Sequence, residues 1–276
     1  MTNYVEQYVD FLVKNSSNFR LTNYRQIDIQ PSEVIINDSI EDRLFENKAC
    51  LPNLLETLMF FNLLDSYVEQ QNPALEGLSF RQKYKEMPSE TNINKMIKSI
   101  YRILKIYRNA SVHSVSSIVN NERGIKLSYA FKETNYMLNI SNESLHLIYS
   151  FILNYLILSN SIYSDLYVEY LLFDIYELII SGVNSFVDEE GGLTHVPTSK
   201  KICWRVRYKC DSISISEINS NIKFEIPDDY CINKQDEPID IYIVHNDNKY
   251  IIPIEVIEQS KTISAIELEK YKQKSI

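Results

Sequence analysis

The apolar residues of this 276-residue chain change their period once, at Asp188-Glu189-Glu190-Gly191-Gly192. Before that segment they recur at spacings of three and four. Leu54, Leu55, Leu58, Met59, Phe61, Leu64 and Val68 are an example, on a helix over 52–71 with Pro52 as its first residue. Such spacing turns one helix face toward a core. After the segment they alternate, giving strands over 202–209, 212–216, 222–226, 239–244 and 250–258, with Asn246-Asp247-Asn248 as a hairpin turn and a terminal helix over 263–274. Alternation is the mark of a half-buried strand. The segment therefore reads as a boundary between a mainly helical domain, residues 1–187, and a small β-rich α+β accessory domain, residues 188–276.

Within the first domain, helices are expected over 4–14, 80–84, about 90–119, 144–158 and 161–186. Asp38 or Ser39 caps a further helix containing Arg43, Leu44 and Phe45, and the stretch 24–36, broken by Pro31, reads as a short strand or extended loop. Asn120-Asn121 and Gly124 close the helix over about 90–119, and runs at 125–129 and 136–140 form an inserted β-hairpin, about 125–140. The expected class is α+β, a helical bundle with an inserted hairpin followed by a β-rich domain.

The net charge of −9 excludes a protein that coats nucleic acid along its whole surface. The charge is uneven, however. Arg81, Lys83, Lys85, Lys95, Lys98, Arg102, Lys105 and Arg108 face only Glu86 and Glu90 in that stretch, a local excess of six positive charges. A basic patch on an acidic chain suggests one specific anionic ligand.

Cys50, Cys203, Cys210 and Cys231 form no C-x-x-C pair, so reduced thiols and no metal site are expected. Met1 to Asp10 lacks the pattern of a signal peptide, and a cytoplasmic location is expected. Ser144 to Ser164 carries no Asp, Glu, Lys or Arg, but His146, Asn154, Ser159, Asn160 and Ser161 interrupt it. It reads as a core helix, with no membrane contact.

The helix over about 90–119 carries the chemistry. At 100° per residue, Lys95, Lys98, Arg102, Lys105, Asn109 and His113 fall within an arc of about 80°. Ile93, Met96, Ile97, Ile100, Ile103, Leu104 and Tyr107 lie opposite, as a core-facing stripe. A basic, solvent-facing ridge thus leads to Arg108-Asn109-Ala110-Ser111-Val112-His113, and Arg108 at its edge can swing onto it. RNA cleavage needs a base for the 2′-hydroxyl, an acid for the leaving 5′-oxygen and positive charge at the phosphorus. Histidine serves either proton role. Arginine stabilises the developing phosphate charge. Asn109, one turn below His113, orients the imidazole or the phosphate. Lys95, Lys98, Arg102 and Lys105 are the candidate RNA contacts. A plain alternative exists for both groups: basic residues favour helix ends and solvated faces.

Arg108-Asn109-x-x-x-His113, late in a long helix that follows another long helix and precedes an apolar one, resembles the HEPN superfamily (higher eukaryotes and prokaryotes nucleotide-binding). The likeness spans roughly residues 39 to 187 in helix order, with only Arg108, Asn109 and His113 matching singly. It implies a metal-independent endoribonuclease without cofactor, leaving a 2′,3′-cyclic phosphate. It further implies a homodimer whose two motifs face each other, a toxin or abortive-infection role in antiviral defence, and a neutralising antitoxin or sensor as partner. A non-catalytic dimer that binds nucleotide or a partner protein is the alternative.

Other candidates are weaker. His146 reads as a core residue, while His195 and His245 lie in loops without a nameable partner. Glu56, Asp65 and Glu69 are within reach of the motif, but salt bridges are their simpler role. Pro238-Ile239-Asp240 and Ile254-Glu255-Val256-Ile257 echo a PD-(D/E)xK metal nuclease, with Ile257 where its lysine belongs. Trp204 with Lys200, Lys201, Arg205 and Arg207 offers a ligand platform or an amphipathic strand.

Overall fold

The computed structural model describes residues 4–15, 18–30, 33–37, 53–226, 238–257 and 261–275. Helices are α1 (Tyr4–Asn15), α2 (Asn53–Gln71), α3 (Phe80–Glu86), α4 (Asn92–His113), α5 (Asn142–Ser159), α6 (Asp165–Ser181) and α7 (Ala265–Leu268). Strands are β1 (Asn23–Gln30), β2 (Glu33–Asn37), β3 (Ile118–Asn121), β4 (Gly124–Phe131), β5 (Thr134–Ser141), β6 (Val183–Val187), β7 (Val206–Cys210), β8 (Ile215–Ile218), β9 (Asn221–Phe224), β10 (Ile239–His245), β11 (Asn248–Pro253) and β12 (Thr262–Ser264). The expected helix at Asp38 to Phe45, its caps, Pro31, Pro52, Cys50 and Cys231 lie outside the described residues.

The chain divides into two units that interleave in sequence. The first comprises Met1–Arg20, Phe45–Leu153 and Ile175–Thr198; the second comprises Leu21–Leu44, Asn154–Asp174 and Ser199–Ile276. The sequence reading placed one cut, at residue 188; the chain passes between the units after Arg20, Leu44, Leu153, Asp174 and Thr198, two of these points lying inside α5 and α6.

In the first unit, α4 packs against α2, α3, β4 and β5. Thr91 caps α4 by accepting the Asn94 amide at 3.1 Å. The helix ends at His113, six residues before its expected end, because Ser114 leaves helical geometry (φ −150°). The β-branched Ile118 and Val119 then pair with Leu127 and Lys126, where their branching suits a pleated surface. The expected hairpin is thereby part of a four-stranded antiparallel sheet, ordered β3-β4-β5-β6. Register sets Ile125 opposite Ile140, Leu127 opposite Leu138 and Tyr129 opposite Tyr136. Gly124 opens β4 rather than closing α4: its φ is +153°, and a Cβ there would strike the Ile140 carbonyl.

The second unit holds a five-stranded sheet ordered β11-β10-β7-β1-β2. β1, β7 and β10 run parallel, with β2 and β11 antiparallel at the edges. Ile27, Cys210, Ile239, Ile241 and Ile252 form one side of a core closed by Ile222 and Phe224 of the sheet β12-β9-β8. Asn219-Ser220 and Asn246-Asp247 take positive φ (50° and 63°; 48° and 60°) at the β8–β9 and β10–β11 turns, the backbone such two-residue turns require.

These observations correct the expected fold class. The molecule is α+β, but a helical bundle with a hairpin insert and an appended C-terminal β domain is not what forms. The long-range pairing of β1 with β7 draws the N-terminal stretch into the β unit, and parallel pairing leaves no local sequence signal of its partner. The terminal helix expected over 263–274 is also replaced: Ile263 pairs with Ile222 in β12, and α7 starts only after the Ser264 cap. The 161–186 helix is α6 followed by strand β6. Among the described residues, no helix is long and apolar enough to cross a membrane, and Leu145, Ile148, Ile152 and Leu153 of α5 are buried.

Candidate functional site at the end of α4

The basic face of α4 does not face solvent along its length. Arg102 and Lys105 are 3% and 1% exposed. Arg102 Nε donates to Asp188 Oδ2 at 2.9 Å and Nη2 donates to Asp188 Oδ1 and the Gly192 carbonyl. Lys105 Nζ donates to Glu189 Oε1 at 2.9 Å and lies 4.1 Å from the Tyr84 ring centroid. The acidic turn read from sequence as a boundary thus folds onto the basic ridge. Burial lowers the Lys105 ammonium, and Glu189 and Asp188 oppose that shift. Burial disfavours the Arg102 charge too, but Asp188 carries the balance and raises it.

Most of the local positive excess is used in the same way. Lys83 pairs with Asp65 at 2.8 Å and Glu69 at 2.6 Å, Arg81 lies 3.8 Å from Glu189, and Lys85 lies 3.3 Å from Glu190. Asp65 and Glu69 are therefore salt-bridge partners, and Glu56 accepts from the Asn18 amide. Lys98 donates to the Lys85 and Met87 carbonyls at 3.4 and 3.3 Å, and burial beside Arg102 lowers it. Lys95 is half-buried. The four proposed RNA contacts thus do not form one open surface. Arg102 and Lys105 in particular are internal cations.

The last two turns of α4 differ. Arg108 and Asn109 are half-buried and His113 is exposed. The Arg108 guanidinium lies 4.9 Å from the Phe80 ring centroid, and its Nη1 donates to Asn109 Oδ1 at 3.3 Å. Phe80 is held in turn. Ser79 and Gln82 close a capping box at the start of α3, and the Phe80 ring meets Phe61 edge-on at 5.0 Å. The Tyr129 hydroxyl of β4 is buried, with no hydrogen-bond partner among the described residues. Tyr129 stacks on Tyr136 at 4.9 Å, and burial, with Tyr136 and Glu189 alongside, raises its hydroxyl so that it keeps its proton. The structure therefore brings Arg108 and Asn109 together, with His113 one turn beyond Asn109. Phe80 has no mark in the sequence. Tyr129 has one, its place in the alternation of Ile125, Leu127 and Tyr129.

The second unit holds a different cluster. Arg207, buried on β7, donates from Nε and Nη2 to Asp240 Oδ1 at 2.9 and 2.7 Å and from Nη1 to Glu255 Oε1 at 2.8 Å. The Tyr167 hydroxyl donates to Asp240 Oδ2 at 2.7 Å. Burial raises the Asp240 carboxyl against the pull of Arg207. A guanidinium occupies the space between the two carboxylates that a metal nuclease would give to its cation, and among the described residues no group of His, Cys, Asp or Glu is arranged to hold a metal. Trp204 is 1% exposed and Arg207 fully buried, so the ligand platform imagined around them does not form. His146 is half-buried beside Tyr149, its Nε2 without a hydrogen bond, while His195 is exposed and His245 ends β10. Cys203 and Cys210 are free thiols.

No family model matches the chain, and neither does any curated protein or solved structure.

Proposed function

We propose that the chain is a metal-independent endoribonuclease in which Arg108, Asn109 and His113 of two copies build one composite site. The observation that supports this most is the contrast along α4. Cations in the middle of its basic face are neutralised internally, while the Arg-Asn-x-x-x-His end carries an exposed imidazole and a half-buried guanidinium held by a ring and an amide. The reading rests on side-chain chemistry and the motif, not on a shared fold.

In this reading one His113 takes the proton of the 2′-hydroxyl, whose oxygen attacks the adjacent phosphorus. The second copy's His113 gives a proton to the departing 5′-oxygen, leaving a 2′,3′-cyclic phosphate and a 5′-hydroxyl. Arg108 stabilises the charge on the phosphorane oxygens, and Asn109 holds Arg108. A toxin or antiviral role, with an antitoxin or sensor as partner, belongs to the same proposal and expects growth arrest on expression that His113→Ala relieves.

The test is cleavage of total and transfer RNA by purified protein in EDTA, wild type beside His113→Ala. Cleavage that survives EDTA and falls by at least ~100-fold in the variant supports the reading. Undiminished cleavage by the variant rejects it. A second reading, a non-catalytic dimer that binds nucleotide or a partner protein, draws on Val112, Val115 and Val119, which are 51%, 59% and 58% exposed and flank His113 in sequence. It expects no cleavage by either protein.

A further inference from the structure

We infer that Phe80 is a positioning residue for this site: its ring holds the Arg108 guanidinium in place while leaving its donors to an incoming phosphate. The purpose of that contact rests on the ribonuclease reading; its geometry does not. The ring centroid lies 4.9 Å from Arg108 Cζ, within the range at which a cation is drawn to an aromatic ring. A ring holds positive charge without using up N–H donors as a carboxylate does. Arg102 shows the opposite case on the same helix. Its Nε, Nη1 and Nη2 all donate, to Asp188, Thr194, Gly191 and Gly192. Among the described residues Arg108 donates one hydrogen bond, from Nη1 to Asn109 Oδ1, and a guanidinium has several further N–H groups. Held by a ring and one amide, it keeps the fork that pairs with phosphate oxygens.

The ring is itself fixed from several sides. Phe80 is the first residue of α3, directly after the Ser79 cap, where the Ser79 and Gln82 side chains each accept from the other's backbone N–H. That box sets the angle at which the chain enters α3. Toward α2 the ring meets Phe61 edge-on at 5.0 Å, and Phe61 is fully buried. Lys83, three residues on, places its Nζ 5.2 Å from the same centroid, and Asp65 and Glu69 neutralise that ammonium. One ring therefore serves two cations. Lys83 is paired, and Arg108 is the one left to act.

In the full chain carrying isotopically labelled arginine, the Arg108 δ-methylene signal is identified by its loss in Arg108→Lys. The ring current of Phe80 should displace that signal from the ordinary arginine position in the wild type. Phe80→Leu, which keeps an apolar side chain, should return it there, and Phe80→Tyr should keep it displaced. Cleavage by Phe80→Leu should fall about fivefold in kcat with KM little changed. Phe80→Tyr should recover that loss, and Phe80→Leu should add nothing in an Arg108→Ala background. An undisplaced signal in the wild type, or one that Phe80→Leu leaves displaced, overturns the inference. So does full additivity with Arg108→Ala. A displacement that Phe80→Leu abolishes, in a chain that neither binds nor cuts RNA, upholds the contact and rejects the ribonuclease reading instead. If Phe80→Leu unfolds, the wild type and Phe80→Tyr still decide, because both must show the displacement.

Discussion

The middle and the end of α4 carry similar residues on one helix face, yet their surroundings separate them. Around Arg102 and Lys105 the turn at Asp188 and Glu189 supplies carboxylates, Tyr84 supplies a ring, and both cations are buried. Around Arg108 and His113 no carboxylate within ion-pair distance is found among the described residues, and the guanidinium instead meets Phe80 and Asn109. A face of a helix is therefore not a functional unit. What folds against each turn decides whether a charge is spent on stability or remains for a ligand.

That contrast can be broken most forcefully from its buried side. Asp188→Ala strands Arg102 at a site only 3% exposed, and breaking such a pair costs about 3–5 kcal/mol. A loss of that size is expected in urea unfolding, and a loss of under ~1 kcal/mol would mean that Arg102 does not depend on Asp188 for its burial. Arg207→Met, which leaves Asp240 and Glu255 facing each other, should lie in the same range of about 3–5 kcal/mol. By contrast, Mg²⁺ should leave the wild-type melting temperature unchanged, because the guanidinium already fills the space between those carboxylates.

Smaller effects sharpen the other side. Arg108→Ala loses its contact with the Phe80 ring, worth about 0.5–1 kcal/mol at a partly exposed site. His113→Ala, at an exposed position, should fall within about 0.5 kcal/mol of wild type. A loss of several kcal/mol from either would move the end of α4 into the structural class.

His146 adds a pH signature. Burial lowers it from the ordinary value of 6.5. Above pH 6.5 the imidazole is neutral in both the folded and unfolded chain, and its contribution is flat. As the pH falls below 6.5 the unfolded chain takes up the proton first, so stability is lost toward acid. Urea unfolding at pH 7.5 and 5.5 should show this decline, and His146→Leu should reduce it. A steeper decline in the variant would reverse the assigned sign.

Much of this was legible in the sequence, and the failures have physical causes. The apolar stripe of α4, the register of Ile125 with Ile140 and the Asn246-Asp247 turn follow from local periodicity and local backbone preference. The burial of Arg102 and Lys105 does not, because their partners lie more than 80 positions away in a segment whose glycines and acids also describe an exposed linker. The parallel pairing of β1 with β7 is likewise non-local. At the candidate site, Arg108, Asn109 and His113 were legible as a motif. Phe80 was not, because a cation over a ring requires only proximity, and no spacing announces it.

The salt dependence of affinity for a mixed-sequence 2′-O-methyl oligoribonucleotide tests the division of α4 most directly. Each lost phosphate contact to a single strand lowers the slope of log affinity against log salt by about 0.7. The account expects that loss in Arg108→Ala. It expects a wild-type slope in Lys105→Gln/Glu189→Gln, whose charges are already satisfied internally. A slope reduced in the second protein and unchanged in the first would contradict it.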